Sequence, residues 1–196
     1  MSDDRILAAL RPVAATFDRL GIRFQIGGSV ASSTFGMARS TLDVDLVADV
    51  RPEHADPIET ALRPDFYVDA QLIRDAVTHR SCFNLIYLPA YFKVDVFVCK
   101  DSPYERAAFA RSVQAELRAG SEADTFPFST PEDVVLHKLA WFVEAGGNER
   151  QWGDLCGLLR AQRTGLDLGY LHQWAPRIGV APLLAKALAE TGLDRR

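Results

Sequence analysis

Cysteine is scarce in this sequence. Cys82, Cys99 and Cys156 are far apart, odd in number and without C-x-x-C spacing, which argues against a disulfide framework. Cys82 and Cys99 fall in apolar, strand-like runs, where a free thiol acts as a small hydrophobe. His54, His79, His137 and His172 are equally scattered, so no zinc site is read. No run approaches the ~18 consecutive apolar residues a membrane span needs. The opening MSDDRILAAL is acidic and has no signal-peptide apolar stretch. A basic surplus is missing too: 22 Lys and Arg stand against 26 Asp and Glu, a formal charge of −4. That is not the footprint of a dedicated nucleic-acid binder, although net charge does not exclude a local basic patch. There are no repeats or low-complexity segments. These absences leave a reduced, cytoplasmic protein without a membrane partner as the expectation.

What is present is an ordinary globular chain. Its 196 residues are 48% apolar, enough for one domain, or a core with a small appendage, around a sizeable hydrophobic interior. Residues 3 to 20 place Ile6, Leu7, Leu10, Val13, Ala14, Phe17 and Leu20 at helical spacing. Pro12 inside that span predicts a kink or a late start. A strand over 22 to 26 stops at Gly27-Gly28-Ser29, and a short helix over 29 to 36 ends at Gly36. Residues 42 to 50, LDVDLVADV, alternate at period two, and Pro52 opens a helix to about residue 62. Further strands are predicted near 66–68, 82–88, 91–99, 113–117 and 125–128, with helices over 70–78 and 103–111. Thr130-Pro131-Glu132-Asp133 then reads as a helix start, with Thr130 as cap and acids in the first turn. From there on only helices are expected: to about 145, then 149–162, 168–178 and 181–191. The predicted class is α+β, a small mixed sheet flanked by helices over 1–129 and a helical segment over 130–196.

The residues that carry chemistry are acids. Asp43 and Asp45 are one residue apart in a strand, so their side chains leave the same face while Val44 and Leu46 enter the core. Adjacent carboxylates repel unless a cation or a proton lies between them. Hard oxygen ligands held rigidly on a strand suit Mg²⁺ or Mn²⁺. An isolated D-x-D is more simply a solvated strand face, but two features shift the reading. Gly28 and Ser29 follow a strand and open a helix, where backbone N–H groups favour phosphate oxygens; a tight strand-to-helix turn is the plainer alternative. Asp95 stands mid-strand, opposite in face to Val94, Val96 and Val98, and an isolated charge there is costly without a partner; a surface-facing Asp95 is the alternative.

Gly28-Ser29, thirteen residues, Asp43-Val44-Asp45-Leu46 and a later strand acid, Asp95, together resemble the polymerase-beta-type nucleotidyltransferase superfamily. The run from Arg39 through Val47 is similar to small bacterial members, the AbiEii-type toxins and the antibiotic-modifying nucleotidyltransferases. Pro131 to Leu139 is similar to their helical segment, whose lysine, here Lys138, meets the triphosphate. The resemblance covers about residues 22 to 155. It implies a nucleotidyltransferase fold and a metal-dependent transfer of NMP from an NTP to an acceptor, with pyrophosphate released. Asp43, Asp45 and Asp95 would be the catalytic and metal-binding acids, with Gly28, Ser29 and Lys138 on the nucleotide. The acceptor could be a small molecule, tRNA or protein, and a toxin of this kind implies an antitoxin partner. The toxin pattern is incomplete at Glu149-Arg150-Gln151-Trp152-Gly153-Asp154, where only the last acid is kept. Asp154 reads as a functional acid, a surface acid or a partner for Lys138. Arg39 and Thr41 read as loop or substrate contacts, and Trp141, Phe142 and Trp152 as base-stacking groups or core packing. The alternative function is an inactive nucleotidyltransferase-like module that binds nucleotide or protein; a nucleotide-sugar glycosyltransferase is disfavoured by the short chain.

Overall fold

A computed structural model describes residues 2–34, 43–117, 121, 124–144 and 146–194. Helix α1 (Ser2–Arg19) buries Ile6, Leu7, Leu10, Val13, Ala14 and Phe17, the row expected from their spacing. It starts early and continues through Pro12, so no late start occurs. Six buried apolar side chains at ~1.5–3 kcal/mol each outweigh the ~3 kcal/mol that a helix-interior proline costs. Strand β1 (Phe24–Ile26) leads into α2 (Gly28–Thr34), and β2 (Asp43–Ala48) follows. The predicted helix end at Gly36 and the residues Arg39 and Thr41 lie outside the described residues. A single 3-10 turn over Pro52–His54 opens α3 (Ala55–Leu62). Then come β3 (Phe66–Tyr67), α4 (Ala70–His79), β4 (Cys82–Tyr87), β5 (Phe92–Val98), α5 (Pro103–Ala110), β6 (Val113–Glu116) and β7 (Thr125–Phe128). Four helices close the described chain: α6 (Pro131–Glu144), α7 (Glu149–Ala161), α8 (Leu168–Trp174) and α9 (Ala181–Thr191).

The strands form one mixed sheet in the order β3-β4-β5-β2-β1-β7-β6. β2 and β5 run parallel, as do β1 and β7, and the remaining neighbours are antiparallel. Val44, Leu46, Ala48, Val94, Val96 and Val98 are buried, and α1 packs on β2 and β5. The opposite face of these two strands receives α2 and α6. No helix among the described residues is long and apolar enough to cross a membrane.

The start of α6 is fixed by a buried polar knot. The Thr130 hydroxyl accepts from the Asp133 N–H at 3.3 Å and donates to the Asp133 carboxylate at 2.8 Å, and the Tyr170 hydroxyl of α8 donates to the same carboxylate at 2.8 Å. Asp133 is fully buried, and burial pushes its carboxyl pKa up against these hydrogen bonds. Replacing Thr130 with the isosteric Val removes the cap and one of these partners. The expected cost is roughly 1–3 kcal/mol, read as a lower urea midpoint at unchanged slope. A change below about 0.5 kcal/mol would show that the knot does not hold α6.

Candidate functional site

The parallel pairing of β2 with β5 builds the site. Its register sets Asp43 beside Lys93, Asp45 beside Asp95 and Val47 beside Phe97. On the far side of β5, Asn84 of β4 stands abreast of Asp95. Because side chains alternate across a strand, these six groups and Asn84 share one face. Two acids that the chain separates by fifty residues are thereby neighbours, and the surface-facing alternative for Asp95 is excluded, since it is 8% exposed.

The turn after β1 comes up against this row. Gly27 donates its N–H to the Asp45 carbonyl at 2.9 Å. Gly28 has φ +55°, and a Cβ there would fall inside the Asp45 carboxylate. The Ser29 N–H donates to that carboxylate. The hydroxyls of Ser32 and Ser33 donate back to the carbonyls of Gly28 and Ser29 at 2.8 and 2.9 Å, bracing the turn from within α2. Glycine at 28 is therefore demanded by both conformation and space.

Negative charge accumulates here. The Asp45 pKa is pushed up to about 6, first by burial and then by the charges of Asp43 and Asp95; Lys138 and the Ser29 N–H oppose the rise. Asp95 is held on both oxygens. Lys93 Nζ lies 2.6 Å from Oδ2 and also 4.0 Å from Asp43 Oδ2, while the Asn84 amide donates to Oδ1. Partial burial pulls the Lys93 pKa down, but the bond to Asp95 and the fields of Asp43 and Asp45 outweigh it and hold the ammonium charged. Among the described residues, no three His, Cys, Asp or Glu side chains form a ready-made metal cage. The donor chemistry nevertheless suits a hard divalent ion: two carboxylates on one strand face, one of them raised in pKa by burial and then by like charges.

A cleft of about 600 Å³ opens over this row, lined by Gly28, Ser29, Asp43 and Asp45 from the sheet side and by Lys138 from α6. Asp154, Asn148, Arg150 and Gln151 form the opposite wall at the start of α7. Five of the six residues read from the sequence meet in one cleft. Asp95 lies beside Asp45, under the Lys93 ammonium. Trp141 lines the cleft and stacks on Phe97 at 4.3 Å and 21°, whereas Phe142 and Trp152 pack on each other at 5.4 Å. Lys93 and Asn84 escaped the sequence reading. The period-two rule that joins Asp43 to Asp45 also joins Lys93 to Asp95, so Lys93 was legible; Asn84 was not, because its place depends on β4 pairing.

No protein-family model matches the chain, and no curated protein matches it in sequence. Solved structures do match. An antigenic nucleotidyltransferase-like protein from Paracoccidioides brasiliensis superposes with a TM-score of 0.54 at 17% identity, over 96% of this chain and 94% of that one. The antibiotic-resistance factor ANT(2'')-Ia gives 0.52 at 15% identity, over 94% of this chain and 97% of that one. The chain has the nucleotidyltransferase fold. At these identities the likeness lies in the course of the backbone. Within the nucleotidyltransferase fold, the acid row and the Gly28 turn of this chain occupy one face of the sheet under α6.

Proposed function

We propose that this chain is a divalent-metal-dependent nucleotidyltransferase that moves an NMP from an NTP to an acceptor hydroxyl. The carrying observation is the register that sets Asp45 abreast of Asp95 while Gly28 presses on the Asp45 carboxylate. Asp43 and Asp45 would hold Mg²⁺ or Mn²⁺, and Asp95 would join them by exchanging its contact with Lys93 for the ion. Such an ion, when bound, neutralises phosphoryl oxygens and lowers the pKa of a hydroxyl. The remaining work belongs to the chain. The turn, bare of side chain at Gly28, admits the triphosphate to the N–H and hydroxyl groups at Ser29, and Lys138 of α6 faces its charge. The acceptor oxygen bonds to the α-phosphorus, the bond to the bridging oxygen breaks, pyrophosphate leaves, and Asp95 takes the hydroxyl proton. Residues 1–129 act as the catalytic core and 130–196 as the helical part that delivers Lys138.

The test is incubation with each NTP labelled on its α-phosphate, Mg²⁺ or Mn²⁺, and total cellular RNA, protein or metabolites. Metal-dependent label transfer with equimolar pyrophosphate is expected, and none with Asp45→Ala. Equal labelling by that variant would overturn the reading. A second reading, a nucleotide-binding module without turnover, draws on the hold of Lys93 and Asn84 on Asp95. It would be favoured by metal-dependent NTP binding that releases no pyrophosphate with any acceptor pool.

Lys93 gives a further prediction. Its ammonium reaches both Asp95 and Asp43 and so competes with any ion placed between them. Two unit charges 4 Å apart interact with about 4 kcal/mol at an effective dielectric of 20. Releasing about a third of that in Lys93→Met should tighten Mn²⁺ binding roughly tenfold, measured by the loss of free Mn²⁺ signal in electron paramagnetic resonance. Unchanged or weaker binding would show that Lys93 assists the ion instead.

A further inference from the structure

The candidate catalytic cleft shares Phe97, Trp141 and Glu144 with a second cavity of about 470 Å³. Its floor is the next row of the same sheet face. Val47 follows Asp45, Phe97 follows Asp95, and Cys82 lies abreast of Phe97. Side chains two residues apart on a strand are ~7 Å apart, so this floor begins one row beyond the acids. Helix α6 roofs it with His137, Ala140 and Trp141, and Tyr104 of α5 stands at its side.

Its chemistry differs from that of the acid cleft. The walls are largely apolar and aromatic, and the charged groups are paired among themselves, with Arg80 at the rim excepted. Lys100 meets Glu144 at 2.5 Å, His137 Nε2 lies 3.3 Å from both Glu105 oxygens, and Arg80 at the rim donates to the Cys99 carbonyl at 3.0 Å. Inside the cavity every charge is thus paired, and only the rim guanidinium of Arg80 rests on a neutral carbonyl. One polar atom is left over: His137 Nδ1 is buried and has no hydrogen-bond partner among the described residues. A buried nitrogen in that state costs ~1–3 kcal/mol, which a ligand hydroxyl bonded to it would recover. The imidazole is held in place, edge-on to Tyr104 at 5.4 Å and stacked with Trp141 at 5.7 Å.

We infer that this cavity seats the acceptor, an uncharged alcohol carrying one or two aromatic rings. The inference rests on the nucleotidyltransferase reading. The ring lies against Phe97 and Trp141, a polar group bonds to His137 Nδ1, and the accepting hydroxyl extends one row along the sheet toward Asp95. That hydroxyl oxygen bonds to the α-phosphorus as pyrophosphate leaves, and its proton passes to Asp95.

Binding of tryptophol, tyrosol and 2-naphthalenemethanol tests this, followed by saturation-transfer NMR and by tryptophan fluorescence, to which Trp141 in the shared wall contributes. The intact chain is used without metal or nucleotide. Two variants fill the cavity from opposite walls, Ala140→Leu from the roof and Cys82→Leu from the floor. At least one alcohol should bind the parent and bind about tenfold more weakly in each variant that retains its parent melting profile. Binding should persist with Mg²⁺ and α,β-methylene-ATP present, and in Asp45→Asn. The inference is overturned if none of the alcohols binds, if binding survives both fillings, or if the nucleotide analogue displaces the alcohol. This readout needs neither metal nor turnover, so its failure leaves the catalytic reading standing, and a failure of pyrophosphate release leaves the binding result intact.

Discussion

Asp45→Asn is expected to lower nucleotidyl transfer ~10³-fold or more while making the metal-free protein harder to unfold. The loss follows from the several kcal/mol of charge stabilisation an ion contributes, at tenfold per ~1.4 kcal/mol. The gain in stability follows from the electrostatics of the row. Asp45 has a folded-state pKa of about 6 against 3.8 ordinarily, raised by burial and by Asp43 and Asp95. A raised acid destabilises the fold only where its carboxylate is ionised. The penalty is absent below about pH 3.8, grows between that pH and about 6, and is complete above. Its full size is on the order of 2–3 kcal/mol, or about 5–8 °C in Tm for a chain of this length. The neutral amide escapes it. Melting curves from pH 4 to pH 8 without divalent ions should therefore show Asn and parent converging at the acid end and Asn ahead above pH 6. Added Mg²⁺ should raise the Tm of the parent and leave that of the variant unmoved. A variant less stable than its parent at pH 8 would mean that the carboxylate is already compensated, and the acids would then have no need of an ion.

Parts of this site were open to reading in one dimension, for reasons that differ residue by residue. Asp43 and Asp45 share a face because strands alternate, and no tertiary information is needed for that. Gly28 after β1 marked a turn because no other residue accepts its conformation so readily. The neighbourhood of Asp95 is another matter. It exists only because β5 enters the sheet next to β2, and nothing local to either strand specifies that partner; the resemblance of motif order supplied it. Lys138 is placed by α6 crossing the acid face, which depends on Trp141 stacking on Phe97 and on the Thr130–Asp133–Tyr170 knot. The late helix start that Pro12 suggested does not occur, because helix propensity is a local quantity and burial of the α1 stripe is not. The second cavity had no linear signature at all, since its walls come from strands, helices and the turn before α9.

Gly28→Ala should disable the site from one methyl group. At φ +55° an L-residue carries ~1–2 kcal/mol of strain, and the new Cβ would occupy the space of the Asp45 carboxylate rather than brush the end of a flexible chain. Either the carboxylate rotates away or the turn lifts, and both break the bond from the Ser29 N–H. The expected stability loss is roughly 2–3 kcal/mol, and a displacement of ~1 Å at reacting groups costs about 10²-fold in rate. The neighbouring glycine makes the control. A Cβ at Gly27 would meet only Ser129 Oγ at 3.9 Å and the Asp45 carbonyl at 4.0 Å, ordinary contacts, and Gly27 is not among the positive-φ residues; Gly27→Ala should stay close to the parent. A double-mutant cycle separates strain from collision. In an Asp45→Gly background every Asp45 side-chain atom that the new Cβ would strike is gone, Cβ included, and the backbone strain remains, so the cost of Gly28→Ala should shrink by about 1 kcal/mol or more. Strictly additive costs would place the Gly28 requirement in the backbone alone, and the turn would no longer be evidence that Asp45 is held for chemistry.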